Sequence, residues 1–252
     1  MQIMRVLNLS RQRKAALIFL VGGLLLFAFL FLNRPFSDSA SGGAANYLGG
    51  KTIVIDPGHG GIDGGVSGNG LVEKEINLEV ALLLRDFLEK RGAAVKMTRE
   101  SDRDVSGLVP DGSAARHIRD LYGRGRFINE SGADLFISLH VNSCGDPYTR
   151  GAIVFHGDDS ASQALADILQ KSLNRVTKVN PREGEYFHQS SKIGDFYLLN
   201  YSSIPGVIVE MGFMTSPGDR ELLKDGSYKR EIARAVCYGI VRYLVGKEEG
   251  RV

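Results

Sequence analysis

Apolar positions along the chain follow three kinds of spacing. Across residues 15–32 (AALIFLVGGLLLFAFLFL) they are continuous and interrupted by no charge. As a helix this run extends about 27 Å, close to the hydrocarbon thickness of a bilayer. It has no polar face of the kind a helix packed on a soluble core shows. Short β-branched and apolar runs at 52–55, 95–98, 135–139, 153–155, 196–199 and 207–209 read as strands. Between them the apolar residues recur at helical intervals. The 73–90 segment does so through Ile76, Val80, Leu83, Phe87 and Leu88, and Gly92 stops it. Further helices are predicted over 114–129, 160–173 and 228–245. Ser160 and Gln163 have the spacing of a capping box, while Ser216, Pro217 and Asp219 read as the cap, first-turn proline and acid of a short helix.

Strands that alternate with helices, and that are apolar throughout, belong in a sheet covered on both faces. The pattern therefore predicts an α/β fold. It is a single domain with a twisted, mostly parallel central sheet flanked by helices, preceded by one N-terminal transmembrane helix.

Charge sharpens the organisation. Arg5, Arg11, Arg13 and Lys14 precede the apolar run and only Arg34 follows it closely. The positive-inside rule then keeps residues 1–14 in the cytoplasm, makes 15–32 a transmembrane anchor, and puts the rest outside. This describes a single-pass cell-membrane protein. The rival reading is a cleaved signal segment with Ser39-Ala40-Ser41 at the processing site, which would release the domain. Residues 33–50, rich in Gly, Ser and Ala, read as a flexible linker, and 51–252 as the folded domain. The first 34 residues hold five basic and no acidic residues, whereas the whole chain is +2, so the exported part is about −3. The basic balance belongs to the membrane flank and gives no reason to expect a nucleic-acid partner. Of the two cysteines, Cys237 falls in an apolar helical pattern and reads as core, although a disulfide with Cys144 is open to an exported protein.

In parallel α/β sheets, sites form beyond the carboxyl ends of strands. The first strand runs into Asp56-Pro57-Gly58-His59-Gly60-Gly61, the third ends at His140 with Asn142 close by, and the last ends at Glu210. Glu73 opens the helix that follows the first strand. Two histidines and a carboxylate with a vacant fourth position form a catalytic zinc arrangement. A second carboxylate is then needed to move protons, so Glu73 and Glu210 can divide the two tasks. Each residue alone has a plainer reading. A histidine after a strand is usually solvated, and Glu73 could simply favour the helix dipole. Glu210 at the end of an apolar strand is harder to set aside, because a carboxylate there needs a partner or a function. The residues taken alone lead as far as a zinc hydrolase.

These same residues carry a resemblance. TIVIDPGHGG (52–61), GLVEKE (70–75), Thr98-Arg99, ADLFISLHVN (133–142) and VEMGF (209–213) resemble, in order, the motifs of the N-acetylmuramoyl-L-alanine amidase family, Amidase 3. The resemblance implies a mixed α/β fold and one Zn2+ per chain, with His59, Glu73 and His140 as ligands and Glu210 as the catalytic glutamate. It implies hydrolysis of the amide between the lactyl group of muramic acid and L-alanine in peptidoglycan, with the glycan strand and its stem peptide as substrate. Within the family the chain is most similar to sporulation and germination amidases. That similarity implies a part in forming muramic-δ-lactam in spore cortex, a downstream deacetylase, an activating lipoprotein and a place in the forespore intermembrane space. Glu75 stands where the family usually has aspartate, Ser143 and Cys144 follow the motif asparagine, and His156 ends the fourth strand.

Other residues compete for attention. A cysteine hydrolase built on Cys144 would leave His59, Glu73 and Glu210 without a role. His188 lies in the polar loop 180–195 and, with Asn142, is a candidate for substrate contact. Arg99 either pairs with a buried acid or binds a peptide carboxylate. The competing functions are a zinc peptidase acting within stem peptides and a wall-binding protein without catalysis.

Overall fold

The computed structural model describes residues 46–110, 114–176, 178–180, 185–186 and 189–252. The predicted anchor at 15–32, most of the linker, and His188 lie outside the described residues. Among the described residues, no helix is long and apolar enough to cross a membrane.

Six strands form the main sheet: β1 (Thr52–Pro57), β4 (Ala94–Met97), β5 (Leu135–Asn142), β6 (Ile153–His156), β9 (Lys192–Ile193) and β10 (Gly206–Phe213). Their order is β4-β1-β5-β10-β6-β9. All neighbours run parallel except β10 and β6, which are antiparallel. The short strands β2 (Ser67–Gly68) and β3 (Leu71–Val72) pair as a hairpin between β1 and the first helix, and β7 (Lys178–Asn180) pairs with β8 (Glu185–Tyr186).

The helices are α1 (Glu73–Glu89), α2 (Arg116–Glu130), α3 (Ser160–Leu173), α4 (Tyr197–Tyr201), α5 (Pro217–Lys224) and α6 (Gly226–Glu248). Alternate strand residues serve the two faces of the sheet. Ile53, Ile55, Leu135, Ile137, Leu139, Val207 and Val209 pack under Val80 and Leu84 of α1, Leu165 and Leu169 of α3, and Val236 and Ile240 of α6. Val54, Phe136 and Ile208 point the other way, against Ile128 of α2 and Leu198 and Leu199 of α4. Both faces are covered, which is why the strands read as unbroken apolar runs.

Three expectations are corrected. The 196–199 run is the start of helix α4, not a strand, because Leu198 and Leu199 both face the smaller core while Tyr197 and Tyr201 stack on each other at 4.9 Å. Gly125 of α2 makes room for those two rings, since a β-carbon there would lie 2.7 Å from Tyr201. The cap of α3 is Asp159, whose carboxylate accepts from the Ser162 amide, so Ser160 is the first helical residue. The folded domain also begins before Lys51. Leu48 is fully buried in the main core, and its amide donates to the Arg91 carbonyl. The Ser216 cap is as read: its hydroxyl accepts from the Asp219 amide and Pro217 sits in the first turn.

Candidate metal centre

The carboxyl edge of the sheet gathers the polar residues. In parallel strands, residues in register share a face. Glu210 of β10 is in register with His140 of β5, and Asp56 of β1 with Ser138. All four therefore project to the face that carries α2. Gly58, just past β1, keeps the space for one of them: a β-carbon there would overlap the His140 ring. Beyond Gly58 the chain turns sharply through His59, which has φ 61°, a left-handed conformation that side chains with a β-carbon seldom adopt. Glu73 enters from the first residue of α1.

His59, Glu73 and His140 converge, each offering a ligand atom, with those atoms all within 4.8 Å of one another. Glu73 Oε1 lies 3.2 Å from His59 Nε2 and 3.0 Å from His140 Nδ1. A tetrahedral ion with bonds of 2.0–2.1 Å separates its ligand atoms by about 3.3 Å. These two of the three separations approach that edge length, and the third pair of donors lies within 4.8 Å, an arrangement compatible with one zinc-sized ion once the imidazoles close on it. A borderline-soft divalent metal also suits two imidazoles and one carboxylate.

Glu73 is buried, and it is fixed by more than the histidines. Its Oε1 accepts from the Val141 amide at 3.0 Å and from Asn77 Nδ2 at 3.4 Å, and Oε2 accepts from the Val66 amide at 2.9 Å. Gly65 leaves the carboxylate its room, because a β-carbon there would collide with Oε2. Burial alone would raise the Glu73 pKa, but hydrogen bonds and charge from His140 and His59 hold it well below the usual range. Burial alone would likewise lower the His59 pKa. The Glu73 and Asp63 carboxylates outweigh it and raise the value to about 9. The two carboxylates thus favour a positive charge at this point, which a proton on His59 or a metal ion can supply.

Glu210 is buried like Glu73 but differs from it in its partners. It is 8 % exposed, and its Oε2 has no hydrogen-bond partner in the protein. Such an orphaned acceptor costs about 1–3 kcal/mol. Burial pushes its pKa up to about 7, with His140 pulling it down and Glu73 pushing it up. A carboxyl poised there can take and give a proton near neutrality.

The remaining predicted residues separate. Asn142, half-buried at the end of β5, accepts from the Ser143 amide and stays at the same edge. Arg99 is fully buried, and its guanidinium donates to the carbonyls of Pro57, Gly58, Lys74 and Ser101. It therefore braces the β1 loop from behind and is not presented to a substrate carboxylate. His156 is buried and bonded to the Gly157 carbonyl, and His117 is exposed on α2. Cys144 lies with Sγ 3.2 Å from the Asp146 carbonyl oxygen.

Sequence reasoning passed over Asp56, Asp63, Asn77 and Arg124. Arg124 Nη1 donates to Asp56 Oδ1 at 2.6 Å and to the Pro57 carbonyl, and Nη2 donates to the His59 carbonyl at 2.6 Å. The available signals were weak. Asp63 follows His59 by four residues, Asn77 follows Glu73 by one helical turn, and Arg124 follows its partner Asp120 by four. Each spacing is also common on surfaces without any role.

Comparison with known proteins gives a consistent answer. The profile of Amidase_3, N-acetylmuramoyl-L-alanine amidase, matches residues 53–242. The germination-specific N-acetylmuramoyl-L-alanine amidase of Bacillus subtilis is 36 % identical over 239 residues, covering 94 % of this chain and 98 % of the relative. Among solved structures, the CwlD amidase of Clostridioides difficile, determined in complex with the GerS lipoprotein, superposes with a TM-score of 0.69 at 33 % identity, over 77 % of this chain and 98 % of that one. The AmiC2 amidase of Nostoc punctiforme superposes with a TM-score of 0.64 at 29 % identity, over 79 % and 99 %.

Proposed function

The chain belongs to the N-acetylmuramoyl-L-alanine amidase family, and on that premise we propose that it is a zinc-dependent enzyme cutting the bond between the lactyl carbonyl of muramic acid and L-alanine in peptidoglycan. One observation carries the reading: three convergent metal donors lie at the strand edge where a buried, partly unsatisfied carboxylate, Glu210, is in register with one of them.

His59, Glu73 and His140 would hold the ion. Bound there, zinc supplies Lewis-acid polarisation of the carbonyl oxygen and acidifies water. The protein residues do the rest. Glu210, in its ionised form, accepts the proton of the attacking water and delivers it to the departing nitrogen of L-alanine. Burial keeps that carboxyl near neutrality, so both halves of the transfer are accessible at one pH. Glu73 stays ionised throughout, since both histidines depress its pKa, and it serves as ligand alone. Asn142, two residues past His140 on the same strand, would contact the substrate.

The purified protein, incubated with muropeptides, should release stem peptides beginning at L-alanine and leave bare glycan. Shortened peptides still attached to sugar would instead establish the zinc peptidase reading. A strong chelator should abolish turnover and added zinc should restore it.

The cellular role extends the proposal. Similarity to the germination-specific enzyme of Bacillus subtilis and to the Clostridioides difficile CwlD amidase supports a role in spore cortex, upstream of a deacetylase that forms muramic-δ-lactam. The GerS complex of the latter supports an activating lipoprotein as partner. Residues 15–32 would anchor the enzyme with its catalytic domain outside the cytoplasm, in the forespore intermembrane space. Cortex from a strain lacking the gene should contain no muramic-δ-lactam. Normal δ-lactam would remove the cortex role and leave the amidase reading intact.

A further inference from the structure

His59 is the one metal donor carried by a loop; His140 is on β5 and Glu73 on α1. Its backbone is already secured. The Arg124 guanidinium holds its carbonyl, Arg99 holds the carbonyls of Pro57 and Gly58, and the Gly60 and Asp63 amides each donate to the other's carbonyl. What the backbone leaves undecided is the rotation of the imidazole and which ring nitrogen carries the proton. Those two properties determine whether Nε2 presents a lone pair to the ion.

We propose that Asp63 decides both, acting as the positioning residue that fixes His59 as a ligand. Its Oδ2 lies 2.7 Å from His59 Nδ1. A carboxylate oxygen can only accept, so it holds the proton on Nδ1 and leaves the lone pair on Nε2. Nε2 is the nitrogen that faces Glu73 Oε1 at 3.2 Å. The other carboxylate oxygen, Oδ1, accepts from the Gly65 amide at 3.0 Å. Asp63 is thereby tied to the turn that also bends the chain back toward Glu73, whose own carboxylate accepts from the next amide, that of Val66. A carboxylate behind a ligating histidine raises its basicity and orients its ring, and losing one typically weakens metal binding 10–100-fold.

The plainer role for Asp63 is that of a turn residue whose Oδ1 caps Gly65. Two substitutions separate the roles. Asp63→Asn keeps the size and one oxygen, enough to cap Gly65, but turns an NH2 group toward Nδ1. That NH2 donates, favours the tautomer with the proton on Nε2, and opposes metal binding. Asp63→Ala removes both contacts. The side chain of Asp63 is 47 % exposed, so neither change opens a cavity.

The inference rests on the metal reading of the site, and the experiment separates the two. Zinc affinity of the wild type, Asp63→Asn and Asp63→Ala is measured by chelator competition, with the melting temperature of each metal-free protein as a fold control. Both variants are expected to bind zinc about 10–100-fold more weakly than the wild type, with metal-free melting temperatures close to the wild-type value. Wild-type affinity in Asp63→Asn overturns the proposal, whatever Asp63→Ala shows, because a turn cap would then suffice. A wild-type protein that binds no zinc removes the metal reading, and the proposal with it.

Discussion

Two glutamates that feel the charge of the same histidines hold opposite protonation preferences, and the difference comes from what surrounds them. Glu73 collects two backbone amides, an asparagine and two imidazoles; Glu210 collects none of these on Oε2. Glu210→Gln should therefore lower turnover about 10²–10⁴-fold, measured on muropeptides, while elemental analysis still finds one zinc. The same substitution should affect stability in the opposite direction. The Glu210 pKa is about 7 folded against 4.5 as the ordinary value. Below pH 4.5 the group is protonated in both states and has no effect. As pH rises to 7 the unfolded state loses its proton first, so the folded state is penalised by an amount on the order of 3 kcal/mol, complete above pH 7. Metal-free Glu210→Gln should thus melt higher than the wild type at pH 8, with the gain gone by pH 4. At this scale the sequence was legible in which residues the fold brings to one edge, His59, Glu73, His140 and Glu210. It was not legible for Arg99. An arginine after a strand looks the same whether it faces solvent or, as here, satisfies four carbonyls in the interior.

Elements were legible in proportion to their length. The seventeen residues of α1 repeat their apolar spacing over several turns, and Ile76, Val80, Phe87 and Leu88 are all buried as that spacing requires, while Leu84 rather than the expected Leu83 takes the fully buried place between them. The five residues of α4 offer barely more than one turn, and a run such as Phe-Tyr-Leu-Leu has no period of its own. Its helical form depends on the flat site at Gly125, which is distant in sequence. Caps were ambiguous for a related reason. Asp159 and Ser160 are both good capping residues, and only backbone angles distinguish them: Asp159 is extended, with φ −118° and ψ 145°. Asp159→Ala should cost about 1 kcal/mol in a denaturant titration, and Ser160→Ala should cost a few tenths at most. Equal losses would restore Ser160 as the cap.

For the molecule as a whole, the fold and the proposed metal centre meet at the β1 loop, which carries His59. In the metal-free protein a proton on His59, favoured up to about pH 9, occupies the ring that the ion needs. Zinc affinity should accordingly rise with pH, by about tenfold per unit below pH 9, and level off above it. Chelator competition at pH 6, 7 and 8 would show the slope, and an affinity independent of pH would contradict it. The alternation of strands and helices announced the parallel sheet, while the antiparallel seam between β6 and β10 had no counterpart in the sequence, since the direction of a strand leaves no mark on its composition.

The register of Glu210 with His140 sets the order in which heat dismantles the enzyme. These two residues occupy neighbouring strands at the centre of the sheet, spaced by the hydrogen-bond ladder at about 4.8 Å, and separate only when the sheet itself opens. His59 lies outside that ladder, on a turn held by a handful of hydrogen bonds that can break without the sheet opening. Warming should empty the site first, leaving a population that is inert yet still folded, so that activity fades several degrees before circular dichroism reports any loss of structure.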